Sequence, residues 1–88
     1  MINFNGEEWR LLYVPPFHPT LKMSNGAFAL GACDDFKKEI YINNKLNKFY
    51  TKKVLAHELT HAAAFSYGLL LTYEEHETLA DFVATYGA

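Results

Sequence analysis

The sequence predicts an α+β domain in which a small antiparallel β-sheet packs on two helices. The first half of the chain is divided into short β-favouring runs by Pro, Gly and Asn-Gly turn signals. The second half holds two stretches whose apolar residues recur at helical spacing, separated near Gly68. With 88 residues, 50% of them hydrophobic and 16% aromatic, the chain suits one small domain, and residues 1–88 read as a single unit without repeats or low-complexity tracts.

Met1 to Glu8 is polar and reads as a loosely held terminus. Trp9 to Val14 has β-favouring character and forms a first strand, which Pro15 and Pro16 stop. Pro15 to Pro19 is an extended loop, with His18 as a surface residue. Asn25-Gly26, flanked by Leu21 to Met23 and Ala27 to Leu30, predicts a two-residue hairpin whose second leg runs from Ala27 to Cys33. A turn at Asp34 to Lys37 then leads to Glu39 to Asn43, which alternates as a half-buried strand.

A long helix should begin between Asn47 and Thr51 and run to about Tyr67, with Gly68 as a left-handed C-cap. Its expected core face is Phe49 or Tyr50, Val54, Leu55, Leu59, Ala62, Ala63 and Phe65. Thr72 with Glu75 makes a capping box that starts the second helix, and Gly87 ends it.

The net charge of −2 and pI near 6.0 offer no general attraction to nucleic acid. Six lysines lie between Lys37 and Lys53, and Glu74, Glu75, Glu77 and Asp81 cluster later; both read as solvated faces. Cys33 is the single cysteine, which excludes an intrachain disulfide and fits a reducing cytoplasm, and it reads as a small buried residue at a strand end. Met1 to Arg10 carries acids and no apolar run, so no signal peptide is expected. Val54 to Leu71 has the length of a membrane span, but His57, Glu58 and His61 make burial in lipid costly. The expectation is a cytoplasmic protein with neither nucleic acid nor membrane as partner; its oligomeric state is not specified by sequence.

Those three residues belong to His57-Glu58-Leu59-Thr60-His61, an H-E-x-x-H motif within apolar, helix-favouring sequence. Residues four apart lie about 40° apart around a helix, so both imidazoles converge on one point, suited to a zinc ion. Glu58, rotated by roughly 100°, stands beside that point as a general base for a metal-activated water. Catalytic zinc takes three protein ligands and keeps a position for water, so a third ligand must come from another element. Glu77 is the choice, because Leu79, Phe82, Val83 and Tyr86 give its segment a helical apolar face, with Glu74 and Glu75 as the alternatives if the face is misread. Asp81, on the Glu77 face, is placed to accept the second ring N–H of His57 or His61.

The order H-E-L-T-H followed by Glu77 and Asp81 in E-T-L-A-D-F-V-A resembles the gluzincin pattern. Within that pattern it is most similar to the ImmA/IrrE-type metallopeptidases, from about Gly31 to Ala84, although Thr60 stands where that group usually has Gly. The resemblance implies a minimal zincin-like domain, His57, His61 and Glu77 as zinc ligands, and Glu58 as base. It also implies that an edge strand beside the metal helix pairs with an extended peptide; Glu39 to Asn43 is the candidate.

The function expected is zinc-dependent hydrolysis of peptide bonds in a protein or peptide substrate. Tyr67, Tyr73, His76 and Tyr86 are candidate oxyanion donors, among which sequence does not choose. The alternative is a non-catalytic, zinc-stabilised binding protein on the same scaffold, of the kind a phage or mobile element encodes; it is suggested by the few walls 88 residues leave for a cleft.

Overall fold

The computed structural model of the chain describes residues 2–68, 75, 77, 78, 80 and 81. It is a small α+β domain with four strands, β1 (Ile2–Phe4), β2 (Glu7–Val14), β3 (Gly31–Asp34) and β4 (Glu39–Asn43), followed by helix α1 (Lys48–Ser66). The strand order is β1-β2-β4-β3.

The N-terminus is a strand rather than a loose end. Asn5 and Gly6 take φ of 53° and 81°, the paired left-handed conformations of a tight hairpin turn, and Phe4 faces Glu7 across it. Asn5-Gly6 is the same dipeptide signal that marks Asn25-Gly26. At the second site Gly26 also has positive φ, but only a single bridge between Lys22 and Phe28 forms, and the ordered strand is confined to β3.

The sheet is mixed, which corrects the expected antiparallel arrangement. β4 pairs antiparallel with β3 but parallel with β2, Leu11 lying opposite Ile40 and Tyr13 opposite Ile42. Pro15, Pro16 and Pro19 prevent a tight return from β2, and Pro19–Leu21 instead forms a 3-10 turn capped by the His18 side chain. The long connection carries the chain past the neighbouring position, and β4 enters it. That central place is why four of the five β4 residues are buried.

Both sheet faces are covered. Trp9, Ile40 and Ile42 pack with Ala62 of α1, joined by Leu11, Val54, Leu55 and Leu59. Val14, Leu21 and Tyr41 form a second cluster with Leu12 and Ala32, under the 3-10 turn. The alternation of Trp9 and Leu11 against Leu12 and Val14 thus serves two cores at once.

α1 starts where expected: the Asn47 side chain accepts a hydrogen bond from the Tyr50 backbone N–H at 2.8 Å, and Gly68, φ 65°, follows its end. Its inner face holds the expected Val54, Leu55, Leu59 and Ala62 but not the expected aromatic residues. Phe49, Tyr50 and Phe65 are exposed, whereas Glu58, Ala62, Ala64 and Ser66 are buried. Alanine at the contact brings the helix backbone close to the sheet, and the aromatic rings lie outside that seam.

The C-terminal end of α1 is tied to the first hairpin. Trp9 Nε1–H donates to Ser66 Oγ at 2.7 Å, and Asn5 Nδ2 donates to the Ser66 carbonyl at 3.0 Å. Beyond α1, Glu75, Glu77, Thr78, Ala80 and Asp81 have helical backbone; Thr72 and Gly87, expected to bound a second helix, lie outside the described residues. No described helix is long and apolar enough to cross a membrane.

Ser66→Ala leaves the fully buried Trp9 indole N–H without its acceptor. We expect a loss of about 1–3 kcal/mol in denaturant unfolding followed by Trp9 fluorescence; an unchanged midpoint would show that the indole finds another partner.

Candidate metal centre

The site is built where α1 passes under the edge strand β3. Gly31 makes this passage possible: a Cβ there would lie 2.6 Å from Val54 Cγ1 and 3.1 Å from Glu58 Cγ. A side chain at that position would push the helix away from the strand.

Four residues apart on α1, His57 and His61 bring their rings to a centroid distance of 4.9 Å, with the two Nε2 atoms 3.2 Å apart. Glu77 closes the figure from beyond the helix. Its Oε2 lies 3.3 Å from His57 Nε2 and its Oε1 3.1 Å from His61 Nε2. These three residues can hold a metal ion, and among the described residues they form the only such cluster. The spacing fits one: donors on bonds of about 2.0–2.1 Å at tetrahedral angles stand roughly 3.3–3.4 Å apart.

Asp81 supplies the orientation expected of it. Its Oδ1 lies 3.0 Å from His57 Nδ1, so the carboxylate accepts that ring N–H and leaves the Nε2 lone pair facing His61 and Glu77. Two imidazole nitrogens and a carboxylate therefore meet at one point, where a cation could take a lone pair from each. Sequence-predicted ligands His57, His61 and Glu77 are brought together; Glu75 is exposed, and Glu74 lies outside the described residues.

Glu58 is only 7% exposed. Burial, and then the negative charge of Glu77, push its carboxyl up to about 7. It lines two grooves that flank the metal ligands. One, of about 340 Å³, is bounded by Leu30 and Gly31 on one wall and by Tyr50, Lys53, Val54 and His57 on the other. The second, of about 240 Å³, lies between Cys33, His61, Phe65 and Glu77. Phe65 stacks on His61 at a centroid distance of 6.5 Å, so its exposure belongs to this face of the helix and not to the core. Cys33 is half-buried in β3, and its thiol is pushed up to about 12 by burial and by the neighbouring Glu58, Asp35 and Asp34 carboxylates.

Of the candidate oxyanion donors, Tyr67 caps the C-terminal end of α1, is largely exposed, and does not line either groove. Tyr73, His76 and Tyr86 lie outside the described residues. Glu39–Asn43 is not the edge strand expected, because β4 is enclosed between β2 and β3; among the described residues the sheet edge beside α1 is β3. Tyr50 and Lys53 are the groove residues that the sequence reading missed. The signal for them was present, since Tyr50, Lys53, His57 and His61 follow one another at helical spacing.

No protein-family model, curated protein or solved structure matches the chain.

With zinc as probe in a chelator-competition titration, Asp81→Ala is expected to weaken binding about 10- to 100-fold by releasing the His57 ring. Glu77→Ala should weaken it further; equal affinity in all three proteins would place the ion elsewhere.

Proposed function

We propose that the protein is a zinc-dependent metallopeptidase of minimal zincin-like form, acting on a protein or peptide substrate. The observation that carries the reading is the triangle of His57, His61 and Glu77 donors at tetrahedral spacing, with buried Glu58 lining the grooves on both of its sides. Two imidazoles and one carboxylate are a zinc donor set, and one that leaves a coordination position for water. The likeness of H-E-L-T-H and E-T-L-A-D to the ImmA/IrrE-type pattern supports the same assignment.

Zinc held there supplies an acidified water and polarises a carbonyl oxygen. The remaining chemistry falls to the chain. Glu58, its carboxyl pushed up by burial and by the Glu77 charge, would take the proton of the attacking water and return it to the leaving amine. Its near-complete burial holds the carboxylate in one orientation between the two grooves. Asp81 fixes the His57 tautomer, so the ring faces the metal with its lone pair. The outer edge of β3 offers backbone N–H and C=O groups to an extended peptide, which strand addition would draw across the ligands. Gly31, at the start of that strand, keeps the peptide track against the helix.

A non-catalytic binding protein on this scaffold needs the metal only as a staple between α1 and the Glu77 segment. The grooves on both sides of Glu58 favour hydrolysis over that alternative, because they provide room for a substrate on either side of the bond cut.

Glu58→Gln should retain zinc and lose at least about a hundredfold in the rate of cleavage of a sensitive peptide. Undiminished cleavage by this variant would remove the assigned base. Zinc at about a hundred times its Kd should also raise the free energy of unfolding by about 2.7 kcal/mol, read as a shift in melting temperature that a chelator reverses. A melting temperature indifferent to chelation of a verified zinc-loaded sample would contradict the metal's place in the fold.

A further inference from the structure

We infer that Lys53 makes the larger groove a carboxylate-selecting subsite, so that substrates carry an acidic group on one side of the bond cut and not on the other. The inference rests on the peptidase reading above and adds the class of substrate.

Lys53 stands four residues before His57, one helical turn toward the N-terminus of α1 and about 40° around it. It lines the same groove as His57 and Glu58, opposite Leu30 and beside Tyr50. The two carboxylates that also reach this groove are committed: Glu58 is buried, and Asp81 accepts the His57 ring N–H. Among the described residues, by contrast, the Lys53 ammonium has neither an ion pair nor a hydrogen-bond partner. Lys53 is therefore the one cationic side chain in this groove whose charge has no partner among the described residues. The groove on the other side of Glu58 is lined by Cys33, His61, Phe65 and Glu77 and holds no lysine or arginine. An extended peptide advances about 3.3 Å per residue, and one helical turn rises about 5.4 Å, so the ammonium meets a group within about two residues of the bond cut. Leu30 and Tyr50 give that group's carbon stem an apolar wall, which suits Glu or Asp carried on methylenes, or a chain-terminal carboxylate.

The test uses zinc-loaded full-length protein and peptides that differ only by Glu, Gln or Lys at the two positions on each side of a cleavable bond, each made with a free or an amidated C-terminus. Cleavage is measured as kcat/KM, and binding is measured by fluorescence anisotropy to the zinc-loaded Glu58→Gln variant. At low salt we expect Glu to exceed Lys by about two- to fivefold at positions on one side only, the range of an exposed ion pair. The preference should shrink as salt rises, vanish in Lys53→Gln and reverse in Lys53→Glu. A preference confined to free C-termini assigns the subsite to the terminal carboxylate; one that survives amidation assigns it to an acidic side chain.

Cleavage without charge preference, or a preference unchanged in Lys53→Glu, overturns the subsite and leaves the peptidase reading standing. Charge-selective binding with no cleavage by the unsubstituted protein upholds the subsite and overturns the peptidase reading. Peptides that are neither bound nor cut overturn both.

Discussion

The convergence of two imidazoles and one carboxylate on a single point is the constraint on which the rest of the molecule turns. His57 Nε2, His61 Nε2 and the Glu77 carboxylate stand 3.1, 3.2 and 3.3 Å from one another. The His57 proton is already engaged by Asp81 on the opposite side of the ring. An imidazole N–H directed at the neighbouring nitrogen or carboxylate oxygen accounts for one of these contacts at a time, whereas a divalent cation at the centre would draw on all three donors at once. A metal held by these residues would also join α1 to the segment beyond it, coupling occupancy of the site to closure of the fold.

The remainder of the domain reads as support for that triangle. Trp9 and Asn5 anchor the end of α1 to the first hairpin through Ser66. Ala62 lets the helix lie close to Ile40 and Ile42. At the other margin Gly31 removes the one side chain that would part Glu58 from the edge strand. The consequence is a buried carboxylate, Glu58, beside the edge strand of the described sheet, with a groove on each of its two sides. The same small residues that set the packing distance therefore set the geometry of the chemistry proposed.

The chemical part of the site was legible from the chain because helical periodicity is short-range. The spacing of His57 and His61, and of Glu77 and Asp81, fixes which side chains share a face whatever the tertiary context. Strand topology was not legible in this way. An antiparallel sheet was expected, yet the prolines after Val14 force a long connection, and β4 lies beside β2 in parallel. That exchange moved the open edge from Glu39–Asn43 to Gly31–Asp34. The first hairpin was missed although Asn5-Gly6 announced it, because the flanking residues Asn3, Glu7 and Glu8 are polar and masked the strand pattern. On α1, size was mistaken for burial: Phe49, Tyr50 and Phe65 are large and exposed, while the contact with the sheet is made by Ala62 with Val54, Leu55 and Leu59. Hydrophobicity summed along a helix cannot see that a seam calls for small residues.

X-ray absorption at the zinc K-edge of the loaded protein, taken beside its Glu77→Ala variant, addresses the geometry most directly. The account predicts one zinc per chain with two imidazole nitrogens and carboxylate or water oxygens at about 2.0–2.2 Å, and loss of an oxygen neighbour or of the metal itself in the variant. A shell containing sulfur from Cys33, fewer than two imidazoles, or a spectrum indifferent to the loss of Glu77 would contradict it.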